Sequence, residues 1–316
     1  MMRKKTTKTR KWSSSDTGLT ILTLPTMIWY VLFCYLPMFG IIIAFKKYRL
    51  IPGKGFIYSL FSGSKWVGLE NFKFLFLNPQ MPRVVRNTLL YNIVFLIIDT
   101  ILPVVLAILL SYLFSKQLRG FTQTASMLPH FLSWVVVSYL LFAFLSTDKG
   151  ILNGLLKRFG SDPIKWYQEP RAWPLILIIT HTWKAYGYSM VMFGAYLTAI
   201  DPELYDSALV DGATVFQQVR YITLPKLRPV IIMLLILNLG HILNTDFGLF
   251  YLATRNSGSI LPVTETIDVY IYKALMEQAN YGFSAAASLL QNGIGCLLLL
   301  AANFISKKVN PDEGLL

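Results

Sequence analysis

Charge is scarce in this chain. Only 14% of its 316 residues are Asp, Glu, Lys or Arg, against about 25% in an ordinary soluble domain. Cysteine is nearly absent. Cys34 and Cys296 are the whole complement; both lie in apolar runs, and they form neither a disulfide framework nor a metal-ligand spacing. Three histidines argue against a metal centre. There is no Gly-rich phosphate cradle ending in Lys-Ser or Lys-Thr, so the chain is not expected to hydrolyse ATP. Neither His-Glu-x-x-His nor Gly-x-Ser-x-Gly occurs, and no paired acids share a face, which removes the usual marks of an enzyme. Internal repeats and low-complexity tracts are missing as well.

What remains is apolar. Hydrophobic residues make up 54% of the sequence, in runs near 20 residues, enough for a helix to cross about 30 Å of hydrocarbon. Alternating barrel patterns are absent, and a backbone in lipid must satisfy its own hydrogen bonds, so the runs are expected to be helices. The net charge of +13 falls between these runs, where lipid headgroups rather than nucleic acid are the natural counter-charge.

The sequence therefore reads as an all-α integral membrane protein with six transmembrane helices. Residues 1–18 form a basic tail. Residues 19–45 form a retained first helix, kinked at Pro25 and Pro37; the run is too long for a cleaved signal. Residues 46–86 form a polar loop in which "WVGLENFKFLF" suggests an interfacial helix. The core, 87–306, holds five more spans at about 88–114, 121–146, 172–199, 230–253 and 284–306, and 307–316 is a second tail. Charge does not orient the bundle: one side would hold 13 Lys and Arg residues and the other 15. Trp12, Trp29, Trp66, Trp166 and Trp173 fall near span ends, as interface anchors do.

Residues 200–229 interrupt this pattern with "YDSALVDGATVFQQVRYITLPKLRP". Asp201-Pro202 is a helix start. Glu203 and Asp206 suit the positive end of a helix dipole, and Gly212 marks a bend. A second short helix is expected from Thr214 to about Tyr221, with Pro225 and Pro229 ending it and starting the fifth span. Leu204, Ala208, Val215 and Val219 offer an apolar ridge. On composition alone the segment is either a structured elbow or a solvated connection.

The spacing resembles the signature of ABC importer permeases: Glu-Ala-Ala, three residues, Gly, nine residues, Ile, one residue, Leu-Pro. Here it reads Asp206-Ser207-Ala208, Gly212, Ile222, Leu224-Pro225, with Asp for Glu and Ser for Ala. Asp211-Gly212-Ala213 is similar to the form in carbohydrate importers. "YLPMFGIIIAFKKY", "RNTLLYNIV" and "YGFSAAASLLQNGIG" resemble the subgroup serving oligosaccharides and uronate-type sugars. The resemblance implies a type I importer fold in a bacterial inner membrane, with both termini and the elbow cytoplasmic. It also implies a second permease, two ATPase subunits that bind ATP and Mg, and an extracytoplasmic sugar-binding protein. The elbow would dock on an ATPase and drive alternating access.

Polar residues inside spans tend to face a cavity or the bundle interior. His181, Lys184 and Tyr188 share a face of the fourth span; Asn238, His241 and Thr245 share one of the fifth; Gln291 and Asn292 lie in the sixth. Ser133 and Trp134 stand in the third. These groups are either a sugar path or ordinary interhelical contacts. Lys184 is either a cation selecting acidic sugars or a partner of Asp99 or Asp246. The rival functions are an ion-coupled transporter using Asp99 or Asp246 and, more remotely, a membrane enzyme.

Overall fold

The structure, a computed structural model, describes residues 13–113 and 115–309. Most of both tails, with Trp12, lies outside that range. The first helix, α1 (Ser14–Tyr30), widens to a π turn at Val31–Tyr35 and tightens to a 3-10 stretch at Leu36–Phe45. The expected prolines flank this change: Pro25 in α1, and Pro37 at the start of the 3-10 stretch. A two-stranded antiparallel pair follows, β1 (Lys46–Lys47) with β2 (Lys65–Trp66), enclosing α2 (Phe56–Phe61). The loop helix is α3 (Glu70–Leu77).

Next come α4 (Met81–Ser111), α5 (Lys116–Phe131), α6 (Trp134–Leu145), α7 (Ile151–Arg158) and α8 (Trp173–Thr198). The elbow helices are α9 (Glu203–Val210) and α10 (Val215–Gln218). The chain closes with α11 (Leu224–Gly240), α12 (Leu261–Thr264), α13 (Ile267–Met276) and α14 (Tyr281–Val309). Three apolar clusters hold the bundle together, centred on Val84 and Phe283, on Trp173, Leu177 and Phe250, and on Val104, Phe193 and Leu227.

The six expected crossings are not six straight rods. Among the described residues, four helices are long and apolar enough to span: Asp16–Phe45, Met81–Ser111, Val215–Gly240 and Tyr281–Lys308. The expected third span is broken instead. Helices α5 and α6 meet at 97°, because Pro129 closes α5, Leu132 is extended, and the Ser133 hydroxyl caps α6 by accepting from the Val136 N–H. Helix α8 has the length but carries His181 and Lys184 at mid-course. Trp173 is a correction. It is fully buried, its indole donating to the Trp166 carbonyl at 2.8 Å, so it serves the core rather than an interface.

The fifth span also departs from expectation. It begins earlier, at Val215, and its helix ends at Gly240; residues 241–246 are irregular, and a π turn, Gly248–Ala253, follows. A Cβ at Gly295 would overlap the Gly240 carbonyl oxygen, so the two backbones touch where the helix stops. Pro225 and Pro229 do not end a helix here. A π turn at Val219–Thr223, with the Leu224 N–H reaching back to the Val219 carbonyl, carries the chain past Pro225 without a break.

Candidate functional site

Two places in this fold concentrate chemistry. The first is a polar cavity of about 180 Å³ lined from α4, α8, α11 and the irregular segment. Helix α4 packs along α8. On that seam the Asp99 carboxylate lies 2.8 Å from His181 Nε2, and the imidazole stacks on Phe95 with ring centroids 3.8 Å apart. Asn92, Asn238, His241, Asn244 and Asp246 complete the polar lining.

The break after Gly240 makes this cavity possible. Irregular backbone at membrane depth is tolerated only where protein groups or a wet cavity satisfy it. Here side chains replace the missing helical ladder. Asn92 donates to the Ile242 and Asn244 carbonyls at 2.7 and 2.9 Å, and Gln291 donates to the Leu243 carbonyl at 2.7 Å. Asp268 accepts from the Thr245 N–H and hydroxyl and from Gln291. Asp246 accepts from the Trp134 indole at 2.6 Å. Trp134 in turn covers Gly248, where any Cβ would overlap its ring. The breaks of the third and fifth spans thus interlock.

Of the path residues expected from sequence, the structure brings His181, Asn238 and His241 together. It does not bring the others. Thr245 shares no face with Asn238 and His241, since the helix has ended, and its hydroxyl also meets that of Thr266 at 2.8 Å. Gln291 is buried and does not line this cavity. Asn292 points elsewhere, donating to the Ser288 carbonyl. Tyr188 stacks on His130 at 4.8 Å between centroids.

Lys184 pairs with neither acid. Its ammonium donates to the His130 and Leu132 carbonyls at 2.7 Å each and to Pro129 at 3.4 Å, and it lies 5.3 Å from the Trp134 ring. It therefore caps the end of α5 at the break. Sequence reading missed Asn92 and Asp268; a polar residue inside an apolar run was the available signal for Asn92.

The second place is the elbow. Helix α9 ends in a Schellman stop: the Ala213 N–H bonds the Ala208 carbonyl at 2.9 Å, the Gly212 N–H bonds Leu209 at 3.0 Å, and Gly212 has φ +76°. Thr214 and Gln217 form a capping box that starts α10. The Tyr205 and Thr223 hydroxyls, 3.0 Å apart, tie the two arms. Asp201 accepts from the Glu203 N–H at the start, as a cap does.

Asp206, Ser207 and Asp211 are exposed, Ile222 half-buried, and Leu224 and Pro225 exposed. Around the turn, Val210 is 89% exposed and Phe216 71%. This uncovered apolar surface lies beside the exposed carboxylates of Asp206 and Asp211. The expected ridge of Leu204, Ala208, Val215 and Val219 is only partly covered: Ala208 and Val219 are half-buried, whereas Leu204 and Val215 are exposed.

Residues 100–311 match the family described as binding-protein-dependent transport system inner membrane component. Protein LplB of Bacillus subtilis (strain 168) is 34% identical over 95% of this chain and 91% of its own. The polygalacturonan/rhamnogalacturonan transport system permease protein YteP of the same organism is 35% identical over 94% and 89%. Among solved structures, a bacterial ABC transporter involved in import of the acidic polysaccharide alginate aligns with TM-score 0.83 and 33% identity, covering 94% of this chain and 97% of that one. A bacterial alginate ABC transporter in complex with an alginate pentasaccharide-bound periplasmic protein aligns with TM-score 0.82 and 32% identity, covering 93% of this chain and 96% of that one.

Proposed function

The chain belongs to the inner-membrane component family of binding-protein-dependent transport systems, and from that premise we propose that it is a permease subunit of an ATP-driven oligosaccharide importer. The elbow carries the reading. It joins signature spacing, a helix stop built around Gly212, and an uncovered apolar tip with acids beside it. In this proposal Asp206, Ser207, Ala208, Asp211, Gly212, Ala213, Ile222, Leu224 and Pro225 form the contact with an ATPase subunit, which binds the ATP and Mg. The termini and the elbow share the cytoplasmic side of a bacterial inner membrane, and the 46–86 loop faces outward. Six crossings result when the bent α5–α6 pair and α8 each count as one.

The polysaccharides named for the relatives support a carbohydrate substrate. Sugars need hydrogen-bond donors and acceptors, and Asp99, His181, Asn238 and His241 supply them along the cavity. In alternating access a partner shifts the protein between two packings only by binding one of them better. The partners proposed are a second permease, two ATPases and an extracytoplasmic binding protein. Purification from membranes, followed by identification of bound subunits, tests this. An ATPase and a second permease are expected. Sugar uptake that persists without the ATPase, driven by an ion gradient alone, would instead make the chain a secondary transporter.

A further inference from the structure

Outer loops of membrane proteins are ordinarily poor in Lys and Arg. Residues 46–86 depart from that rule, with eight Lys or Arg residues and one acid, Glu70. Topology gives no reason to keep so many bases on that side, so their placement calls for another use.

Their structure separates them into two kinds. Lys46 is 8% exposed, donates to the Leu60 carbonyl at 2.6 Å and lies over the Phe61 ring; it is part of the loop's core. Lys47, Arg49 and Lys73 are exposed and line one basin of about 670 Å³ between the β1–β2 pair, α3 and the start of α14. That volume lies within the range of about 300–1,000 Å³ for ligand sites. Among the described residues none of the three is ion-paired to a carboxylate. Glu70 is the basin's one acid, so its lining carries a net charge of about +2. Lys47 also stands directly opposite Lys65 in the strand pair, a juxtaposition of like charges that costs stability. Tyr281, half-buried and edge to face with the buried Tyr48 at 5.4 Å between centroids, borders the basin.

We propose that this basin is a loading site for the carboxylate groups of an acidic oligosaccharide, distinct from the Asp99–His181 cavity. The inference rests on the permease reading and on the outward placement of 46–86. Uncompensated ammonium and guanidinium groups attract carboxylates, and the half-buried Tyr281 borders them. Glu70 repels an anion from one edge and so orients it.

The test uses the assembled importer in nanodiscs without its binding protein. Calorimetry compares tetragalacturonate with the neutral tetramer of galactose. Tetragalacturonate is expected to bind, more weakly as salt screens the charges, and the neutral tetramer is not. Lys47→Gln, Arg49→Gln and Lys73→Gln together should weaken binding by about tenfold, the summed scale of three exposed charge pairs. Lys47→Arg with Lys73→Arg should preserve it.

Absence of binding, equal binding of both sugars, or indifference to the triple variant overturns the proposal. So does a triple variant that loses only binding-protein docking, or only a co-purified anionic phospholipid seen by native mass spectrometry. If the triple variant imports its sugar unimpaired, the loading site falls and the permease reading stands. If no sugar is imported on ATP by the intact assembly, the permease reading itself falls.

Discussion

At the scale of single residues, Lys184 shows how an unusual sequence feature takes an ordinary structural duty. A lysine in the middle of a span invites a role in charge selection. Its ammonium is instead committed to three carbonyls at the end of α5. Lys184→Met is therefore expected to lower the melting temperature of the purified assembly, through lost charge-assisted hydrogen bonds of about 2 kcal/mol. It should also reduce uptake of charged and neutral oligosaccharides equally. A selective loss of the charged sugar would return Lys184 to the substrate path. Gly187 makes a second residue-scale prediction. A Cβ there would overlap the Ser126 carbonyl oxygen, whereas at Gly194, on the same helix, the nearest atom is a Gln123 side-chain nitrogen at 3.6 Å. Gly187→Ala should cut the amount of folded protein in membranes, on the scale of about 1–3 kcal/mol for overpacking, while Gly194→Ala should leave it unchanged. Immunoblots of membrane fractions compare the two.

At the scale of elements, the elbow was the most legible part of the sequence. Asp201-Pro202, Gly212 and Thr214 with Gln217 are local signals, and each acts within four residues of itself. The two broken spans were hidden because an apolar run looks the same whether its helix continues or stops. What decides is remote: Asn92, Asp268 and Gln291 reach across from other helices to replace the ladder of residues 242–245. The same cause removed Thr245 from the path. For the elbow, Gly212→Pro is incompatible with φ +76°, since the proline ring fixes φ near about −65°; Asp206→Lys reverses an exposed charge. Both variants should insert normally and abolish uptake. Transport at normal rates in both would show that this turn does not couple to a motor.

At the scale of the whole molecule, orientation and assembly join the two sites. With the termini inside, a cysteine placed at Lys47 should react with a membrane-impermeant maleimide added to intact cells. One at Gly212 should react only after permeabilisation. The reverse pattern would invert the bundle. The two native cysteines are both exposed on the isolated chain and lie within candidate spans, so a lipid-soluble thiol reagent should reach them in preference to a polar one.

The passage of the chain through Pro225 carries a mechanical consequence. A helix that stopped at the prolines would leave a slack tether between the elbow and the bundle. Because the π turn preserves continuity, Val215–Gly240 is a single strut of 26 residues, about 39 Å long at 1.5 Å per residue. Its far tip is where the backbone unravels beside Asn238 and His241. On the proposed coupling, a tilt imposed at the elbow is carried along this strut toward that tip, and the π turn with Pro225 and Pro229, where the ladder of hydrogen bonds is interrupted, is where the strut yields first.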